Sequence, residues 1–89
     1  MMVKYNHETG LMYIHLMTGV SNIQMRTSKS DVSKFVAKAN KEQIVGYEIE
    51  NAAENMDYVL NKLGLSRKQK LAVGMCFIRE KQKKTQKDF

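Results

Sequence analysis

The sequence predicts an α+β fold in which a four- or five-stranded antiparallel β meander, residues 2–51, is followed by two C-terminal helices packed on one face. Up to residue 51 apolar and polar residues mostly alternate, whereas from residue 52 apolar residues recur every three or four positions. With 89 residues, the chain can bury one modest core and has no room for a second. We therefore expect a single domain, 1–89, made of the meander, a helical pair over 52–80 and a basic, frayed tail over 81–89.

Two segments near the N-terminus predict the first hairpin. Residues 3–6 and 11–17 are joined by the polar turn H-E-T-G, whose Gly10 can take a positive φ. The second segment carries apolar groups on both of its faces, which is typical of a central strand. Alternation over residues 22–27 then predicts the third strand.

Residues 31–50 permit two interpretations. Alternation over residues 34–39, followed by an apolar run over 44–50, predicts a second hairpin. A helix over residues 31–41 fits as well, because four apolar side chains would share one face after a Ser30 or Asp31 cap. That face would consist of Val32, Phe35, Val36 and Ala39. Local propensity does not decide between the two.

The C-terminal part predicts two helices. Residues 52–63 carry an apolar stripe at helical spacing, and Gly64 stands where a helix commonly ends. Residues 66–69, S-R-K-Q, match a capping box that would start the second helix. Beyond Arg79 only Phe89 is apolar, which predicts that the end of this helix frays.

The apolar phase of each element predicts the core. In the second helix Leu71, Met75 and Ile78 recur at i, i+4 and i+7, and they are expected to form its buried face. The residues expected to be largely buried are Tyr13, Ile14, Leu16, Val45, Ile49, Met56, Leu60, Leu71 and Met75.

Two segments of the meander resemble a known family. Residues 3–16, V-K-Y-N-H-E-T-G-L-M-Y-I-H-L, are similar to the family's opening, K-Y-D-x-E-x-D-x-L-Y-I-x-L. Residues 44–52, I-V-G-Y-E-I-E-N-A, are similar to its later strand, V-V-G-I-E-I-x-N-A. The chain thus resembles a small prokaryotic family of unknown function, some members of which are proposed as antitoxins because their genes lie beside those of toxin ribonucleases. The resemblance implies an antiparallel meander and no assigned catalytic residue, and the basic segment after Gly64 lies outside the shared pattern.

The positive charge is concentrated at the C-terminus. Residues 1–63 contain seven Lys/Arg and seven Asp/Glu, whereas residues 64–89 contain eight Lys/Arg and two Asp/Glu, which accounts for the net charge of +6. We predict that a site for a protein partner or a nucleic acid lies among these cations. Its candidate residues are Arg67, Lys68, Lys70, Arg79, Lys81, Lys83 and Lys84.

Positive charge in the first turn of a helix opposes the helix dipole, whereas positive charge at its end is favourable. Helix stability therefore explains the cations at the end of the second helix but not the three that open it, and these three are the better functional candidates. Two helices joined by a glycine-containing turn also suggest a helix-turn-helix, which would read DNA. Residues 71–78 are nearly all apolar, however, whereas a recognition helix needs a polar face over several turns. A solvated basic face is the simplest alternative.

The reactive side chains do not predict a catalytic or metal site. Cys76, the only cysteine, has apolar neighbours that predict a buried thiol, so a nucleophile pair with His15 is not favoured. His7 and His15 have no partners at metal-ligand spacing. Glu48 and Glu50 share a strand face, as a pair of catalytic carboxylates would, but a solvated sheet face is favoured, because alternation with Tyr47 and Ile49 already explains their positions. We predict no catalytic residue, no metal and no cofactor.

These features predict a binding protein of the cytoplasm. No stretch approaches the roughly 20 apolar residues that cross a bilayer, the N-terminus lacks the apolar run of a signal peptide, and a single cysteine suits a reducing compartment. The leading hypothesis is a small regulatory or inhibitory protein, antitoxin-like or phage-encoded, that occludes a macromolecular partner, most simply a protein. The alternative is a nucleic-acid-binding protein that uses the basic helix. A central strand that is apolar on both faces also predicts a homodimer.

Overall fold

The structure, a computed structural model, describes residues 1–20, 22–38 and 43–87, without the side chains of residues 28 and 84–87. Its elements, in chain order, are β1 (Met2–Asn6), β2 (Leu11–His15), β3 (Ile23–Lys29), β4 (Val32–Ala37), β5 (Ile44–Ile49), α1 (Ala52–Lys62) and α2 (Arg67–Lys87). The α+β class, with five antiparallel strands and two C-terminal helices, is confirmed.

The strands form one sheet in the order β1-β2-β5-β4-β3. This order departs from chain order once, because β2 pairs with β5 and not with β3. β4 confirms the strand interpretation of residues 31–41 over its own length, and the alternative helix is wrong there. The strand prediction and the helix prediction both extend past β4, to residues 39 and 41. Residues 39–42 lie outside the described residues.

The pleat gives the sheet two faces of different character. On the face that the helices cover, which we name the helix face, five residues that are at most 5% exposed form most of the core. They are Met12, Ile14, Val32, Tyr47 and Ile49. The strand register places another set of side chains on the opposite face, which we name the open face. It contains Tyr13, His15, Ile23, Met25 and Phe35.

Asn55 fixes α1 to the sheet. Its side chain is 7% exposed, and its Nδ2 donates to Asp31 Oδ2 at 3.0 Å and to the carbonyl oxygens of Glu50 and Asn51 at 3.1 and 3.0 Å. Asn51, the N-cap residue, has a φ of 49° and makes no side-chain cap bond of its own. The Asn55 amide therefore ties the first turn of α1 to the β3–β4 turn and to the end of β5.

The predicted helix boundaries are confirmed where α1 ends and α2 begins. Gly64 has a φ of +73°, the left-handed conformation of a residue just beyond a helix, and Leu63 is the C-cap. Ser66 and Gln69 form the capping box: the Gln69 amide donates to Ser66 Oγ at 3.2 Å, and the Ser66 amide donates to Gln69 Oε1 at 2.8 Å. The sequence signal at 66–69 thus identifies the start of α2.

The far end of α2 extends beyond the prediction, because the helix continues to Lys87 instead of fraying after Arg79. Two local interactions support the additional turns. Lys83 Nζ lies 3.1 Å from Glu80 Oε1, and Lys81 Nζ lies 4.8 Å from the centre of the Phe77 ring. Positive charge near a helix C-terminus is also favourable to the helix dipole.

The predicted core is confirmed for three residues of the sheet and wrong in α2. Three of the nine residues are buried: Ile14, Val45 and Ile49. Four are partly buried: Tyr13, Leu16, Met56 and Leu60. The prediction is wrong for Leu71 and Met75, which are 60% and 67% exposed. The helix instead packs through Val73 and Cys76, 0% and 5% exposed, because its sequence carries a second apolar stripe on the opposite side.

Candidate partner-binding surface

The predicted cationic residues all lie on α2, but in two different settings. Arg67, Lys68 and Lys70 occupy its first turn with exposed side chains, and Arg79 is exposed two turns further on. The later lysines have local partners, as described for Lys81 and Lys83. Lys84 lies in the same helix, and its side chain is outside the described part of the chain. All seven predicted residues therefore lie on one element, four of them near its beginning or middle with exposed side chains and no ion pair to any described residue.

An apolar stripe runs between these cations. Leu71, Met75 and Ile78 are 60%, 67% and 57% exposed, and we name these three residues the outer stripe. With about 100° between successive residues of a helix, they fall within an arc of about 60°, roughly 170° from the buried side of α2. On the same projection Arg67 and Lys70 border one edge of the outer stripe, and Lys68 and Arg79 border the other. The expected buried face of α2 is thus its most exposed one.

The buried side of α2 holds the outer stripe in place. Val73 is fully buried, and Cys76 Sγ donates to the carbonyl oxygen of Val3, in β1, at 3.6 Å. The Phe77 ring packs on Tyr5, also in β1, with 5.1 Å between ring centres. The outer stripe is therefore presented on the part of α2 that packs against β1 through Val73, Cys76 and Phe77.

Two shallow clefts adjoin the outer stripe. One, of about 250 Å³, lies between α2 and β1. It is lined by Met1, Val3, Ala72, Met75, Cys76 and Arg79. The other, of about 300 Å³, lies along the helix itself and is lined by Met75, Ile78, Arg79 and Gln82. Apolar side chains with an arginine at the rim are typical of surfaces that bind proteins.

The open face of the sheet is a second apolar surface. Ile23 and Met25, in the edge strand β3, are 44% and 58% exposed. A cleft of about 230 Å³ occupies the middle of this face. It is lined by Tyr13, His15, Ile23, Phe35, Val45 and Gly46. The charged residues that the described strands place on the open face are one Lys and one Glu, Lys4 and Glu48.

The reactive side chains are kept apart. Cys76 packs against Val3 beneath α2, whereas His15 lies on the open face on the other side of the sheet, so the two cannot act as a nucleophile and its base. Within residues 1–20, 22–38 and 43–87, no group of three or more His, Cys, Asp or Glu is arranged to hold a metal ion. Glu48 lies on the open face, while Glu50 lies just beyond the end of β5.

Two tyrosines on the helix face have perturbed acidity. Burial raises the pKa of Tyr5. Burial also raises the pKa of Tyr47, and the neighbouring Tyr58 raises that pKa further. Tyr47 Oη donates to the carbonyl oxygen of Leu63 at 3.4 Å, where the protonated hydroxyl links the sheet to the end of α1. Both tyrosines thus act in packing and lie outside the outer stripe.

The spacing of Leu71, Met75 and Ile78 in the sequence predicts a buried face, whereas the structure shows these residues as an exposed surface. The available signal was the second apolar set on α2, Val73, Cys76 and Phe77, whose i, i+3, i+4 spacing also fits a buried face. No family model, curated protein or solved structure matches the chain. Across the described residues, no helix is both long enough and apolar enough to span a membrane.

Proposed function

We propose that the protein is a small regulatory or inhibitory binding protein without catalytic activity, which acts by covering a surface of a protein partner, as antitoxins do. The observation that carries this proposal is the outer stripe, in which three large apolar side chains are each more than half exposed. The largest contiguous apolar patch on a soluble protein is often a binding site. Cations at the rim and apolar groups at the centre match the anatomy of a protein interface.

Photo-crosslinking in cells, followed by reconstitution, tests this function. A photoreactive phenylalanine analogue replaces Met75 in the outer stripe or, as the matched control, Met25 on the open face. The protein captured from position 75 is then purified and titrated with the full chain. We expect its activity to fall to baseline near an equimolar ratio, and we expect Met75→Glu to abolish this inhibition. A captured protein whose activity is unchanged at saturation would contradict the proposal.

Nucleic-acid binding is the second candidate function, and the exposed cations of α2 favour it. Within the described part of the chain, no ion pair engages Arg67, Lys68, Lys70 or Arg79. Four such cations could neutralise phosphates. The arrangement fits a duplex less well than a protein, because the line between the cations is apolar and offers phosphates and base edges no hydrogen-bond donors.

Gel-shift titrations at low and high salt separate the two functions. If the cations bind a duplex, affinity falls by about 0.9 log units per log of salt for each phosphate neutralised, and the Arg67→Glu/Lys70→Glu variant loses the shift. We expect no shift of DNA or RNA at low salt. A tight, salt-sensitive shift that the charge reversal removes would replace the leading proposal with this one.

We also propose that a second copy of the chain covers the open face. Tyr13, Ile23, Met25 and Phe35 give that face an apolar region, and its two charged strand residues, Lys4 and Glu48, have opposite signs, so two copies meet without net repulsion. Two sheets pack face to face at about 10 Å, and a two-fold axis would make the contact self-complementary.

Sedimentation velocity at micromolar concentration tests the dimer. We expect a dimer for the wild-type chain and a monomer for Met25→Glu, which places a charge on an apolar part of the contact. Met75→Glu, the same change on the outer stripe, should remain dimeric. A wild-type chain that stays monomeric up to the highest accessible concentration would refute the dimer and leave the outer stripe unaffected.

A further inference from the structure

The outer stripe has the spacing of a coiled-coil seam. Leu71, Met75, Ile78 and Gln82 follow one another at intervals of four, three and four residues, the pattern of heptad positions d, a, d and a. Gln82 is exposed, like the three apolar residues before it. From Leu71 to Gln82 the seam is about 17 Å long at 1.5 Å per residue. A single partner helix of about three turns matches this length.

The positions that border such a seam are cationic. In this register Arg67 and Lys81 occupy g positions and Arg79 occupies an e position, which are the positions that set partner choice by charge. Acidic residues are absent from the e and g positions of α2, since the remaining ones are Ala72, Gly74 and Gln86. The seam is thus apolar at Leu71, Met75 and Ile78 and polar at its two ends, where Lys68 and Gln82 occupy a positions. Arg67 and Lys81 lie along one edge, and Arg79 lies on the other.

From this geometry we infer that the outer stripe docks an acidic amphipathic helix of a protein partner. This inference rests on the proposed function and names the class of partner. The partner helix presents apolar residues at a and d positions to Leu71, Met75 and Ile78. Its Asp or Glu side chains at e and g positions face Arg67, Arg79 and Lys81. Opposite charges there favour the pairing, and like charges across such an interface cost affinity.

The charge and the width of the outer stripe argue against two other binding partners, a second copy of α2 and a membrane surface. A second copy of α2 is disfavoured, because the net charge of the helix is strongly positive and its edges are cationic on both copies. Helices that lie on membranes usually bury Trp, Phe or several Leu on a broad apolar face. The outer stripe has three apolar residues and no aromatic, and Phe77 faces the sheet.

Fluorescence anisotropy with designed peptides tests the inference on the full chain. The probe is a labelled peptide of about three heptads with Ile at a, Leu at d and Glu at e and g. The control peptide keeps the apolar positions and carries Lys at e and g. We expect the acidic peptide to bind the wild-type chain at least about tenfold more tightly than the basic peptide, with the difference shrinking in high salt.

Two variants assign this binding to the outer stripe. Met75→Glu should weaken the acidic peptide by about tenfold or more, whereas Met17→Glu, the same change at an exposed methionine just beyond the end of β2, should not. Arg67→Glu/Arg79→Glu should reverse the preference, so that the basic peptide binds more tightly than the acidic one. A reversal cannot result from misfolding, because an unfolded chain would lose both peptides.

Several outcomes would overturn the inference. Equal affinity for the two peptides, or no reversal in the charge-swapped variant, would show that the edges of the seam do not select an acidic helix. Binding to vesicles of equal parts phosphatidylcholine and phosphatidylglycerol, with no binding of the acidic peptide, would assign the surface to a membrane. If the acidic peptide fails while the crosslinked partner is still inhibited through position 75, the proposed function stands and only this partner class is wrong.

Discussion

Two glycines should respond in opposite ways to the same substitution. Gly46 lies in β5 beside β2, and a Cβ atom there would collide with the backbone oxygen of Ile14. Gly74 lies inside α2, and a Cβ atom there would meet nothing within 4 Å. Local propensity favours Ala over Gly in both elements. Packing reverses the sign only at Gly46, because the clashing atom belongs to the backbone and cannot move aside.

The magnitudes follow from these surroundings. Gly74→Ala should raise the free energy of unfolding by about 0.5 to 1 kcal/mol, the usual cost of a glycine within a helix. Gly46→Ala should lower it by about 1 to 3 kcal/mol, since β2 and β5 must separate to admit the methyl group. For a domain of this size, 1 kcal/mol corresponds to roughly 4 to 8 °C in Tm.

Thermal and urea unfolding, followed by far-ultraviolet circular dichroism, measure both variants against the wild-type chain. Each serves as the other's control, because the chemical change is identical. A neutral or stabilising Gly46→Ala would refute the close approach of β2 and β5, and with it the pairing that departs from chain order. A destabilising Gly74→Ala would refute the open surroundings assigned to that side of α2.

Three further predictions concern the hydrogen bonds of Asn55, the buried side of α2 and the hydroxyl of Tyr47. Asn55→Asp should destabilise the fold by about 1 to 3 kcal/mol in urea melts at neutral pH, because a carboxylate cannot donate a hydrogen bond to Asp31. Part of this stability should return in acid, and an unchanged midpoint of urea unfolding would contradict the hydrogen bonds assigned to Asn55. Val73→Ala should lower the free energy of unfolding by about 1.5 to 3 kcal/mol, whereas Leu71→Ala should lower it by about 0.5 kcal/mol or less. If Leu71→Ala lowered the unfolding midpoint more than Val73→Ala, α2 would have to pack on the sheet through its other side. The raised pKa of Tyr47 means that its contribution to stability is present below the unfolded tyrosine pKa of about 10 and is lost as pH rises through the folded value. Tyr47→Phe should therefore lose less stability than the wild-type chain on titration above about pH 10, and identical pH profiles would argue against a buried hydroxyl.

Local patterns predicted the elements of this fold better than their arrangement. The capping box at Ser66 and the turn at Gly64 involve residues close together in the chain, so a short stretch of sequence contains the whole signal. The pairing of β2 with β5 joins residues more than thirty positions apart, as Ile14 and Tyr47 show, and no local pattern encodes it. The alternative helix over residues 31–41 is wrong in β4, because this segment forms backbone hydrogen bonds with β3 on one side and β5 on the other.

The candidate site shows why amphipathic periodicity is ambiguous in a helix with two apolar stripes. Periodicity identifies a face that avoids water, but it does not say whether this protein or another one covers that face. In α2 the small size of the Val73 and Cys76 side chains explains why their stripe packs against the sheet. Cys76 Sγ lies 3.6 Å from the carbonyl oxygen of Val3, an approach that the smaller stripe of Val73 and Cys76 permits.

Packing α2 through the outer stripe would place Leu71, Met75 and Ile78 between the helix and β1. These longer side chains would hold the two backbones further apart and would break the contact between Cys76 and Val3. The close-packed arrangement therefore buries the small Val73 and Cys76, packs Phe77 on Tyr5, and leaves Leu71, Met75 and Ile78 outside. Large exposed apolar side chains with cations beside them match the apolar centre and polar rim of a protein interface. The same packing step that stabilises the fold thus exposes the surface to which we assign the function.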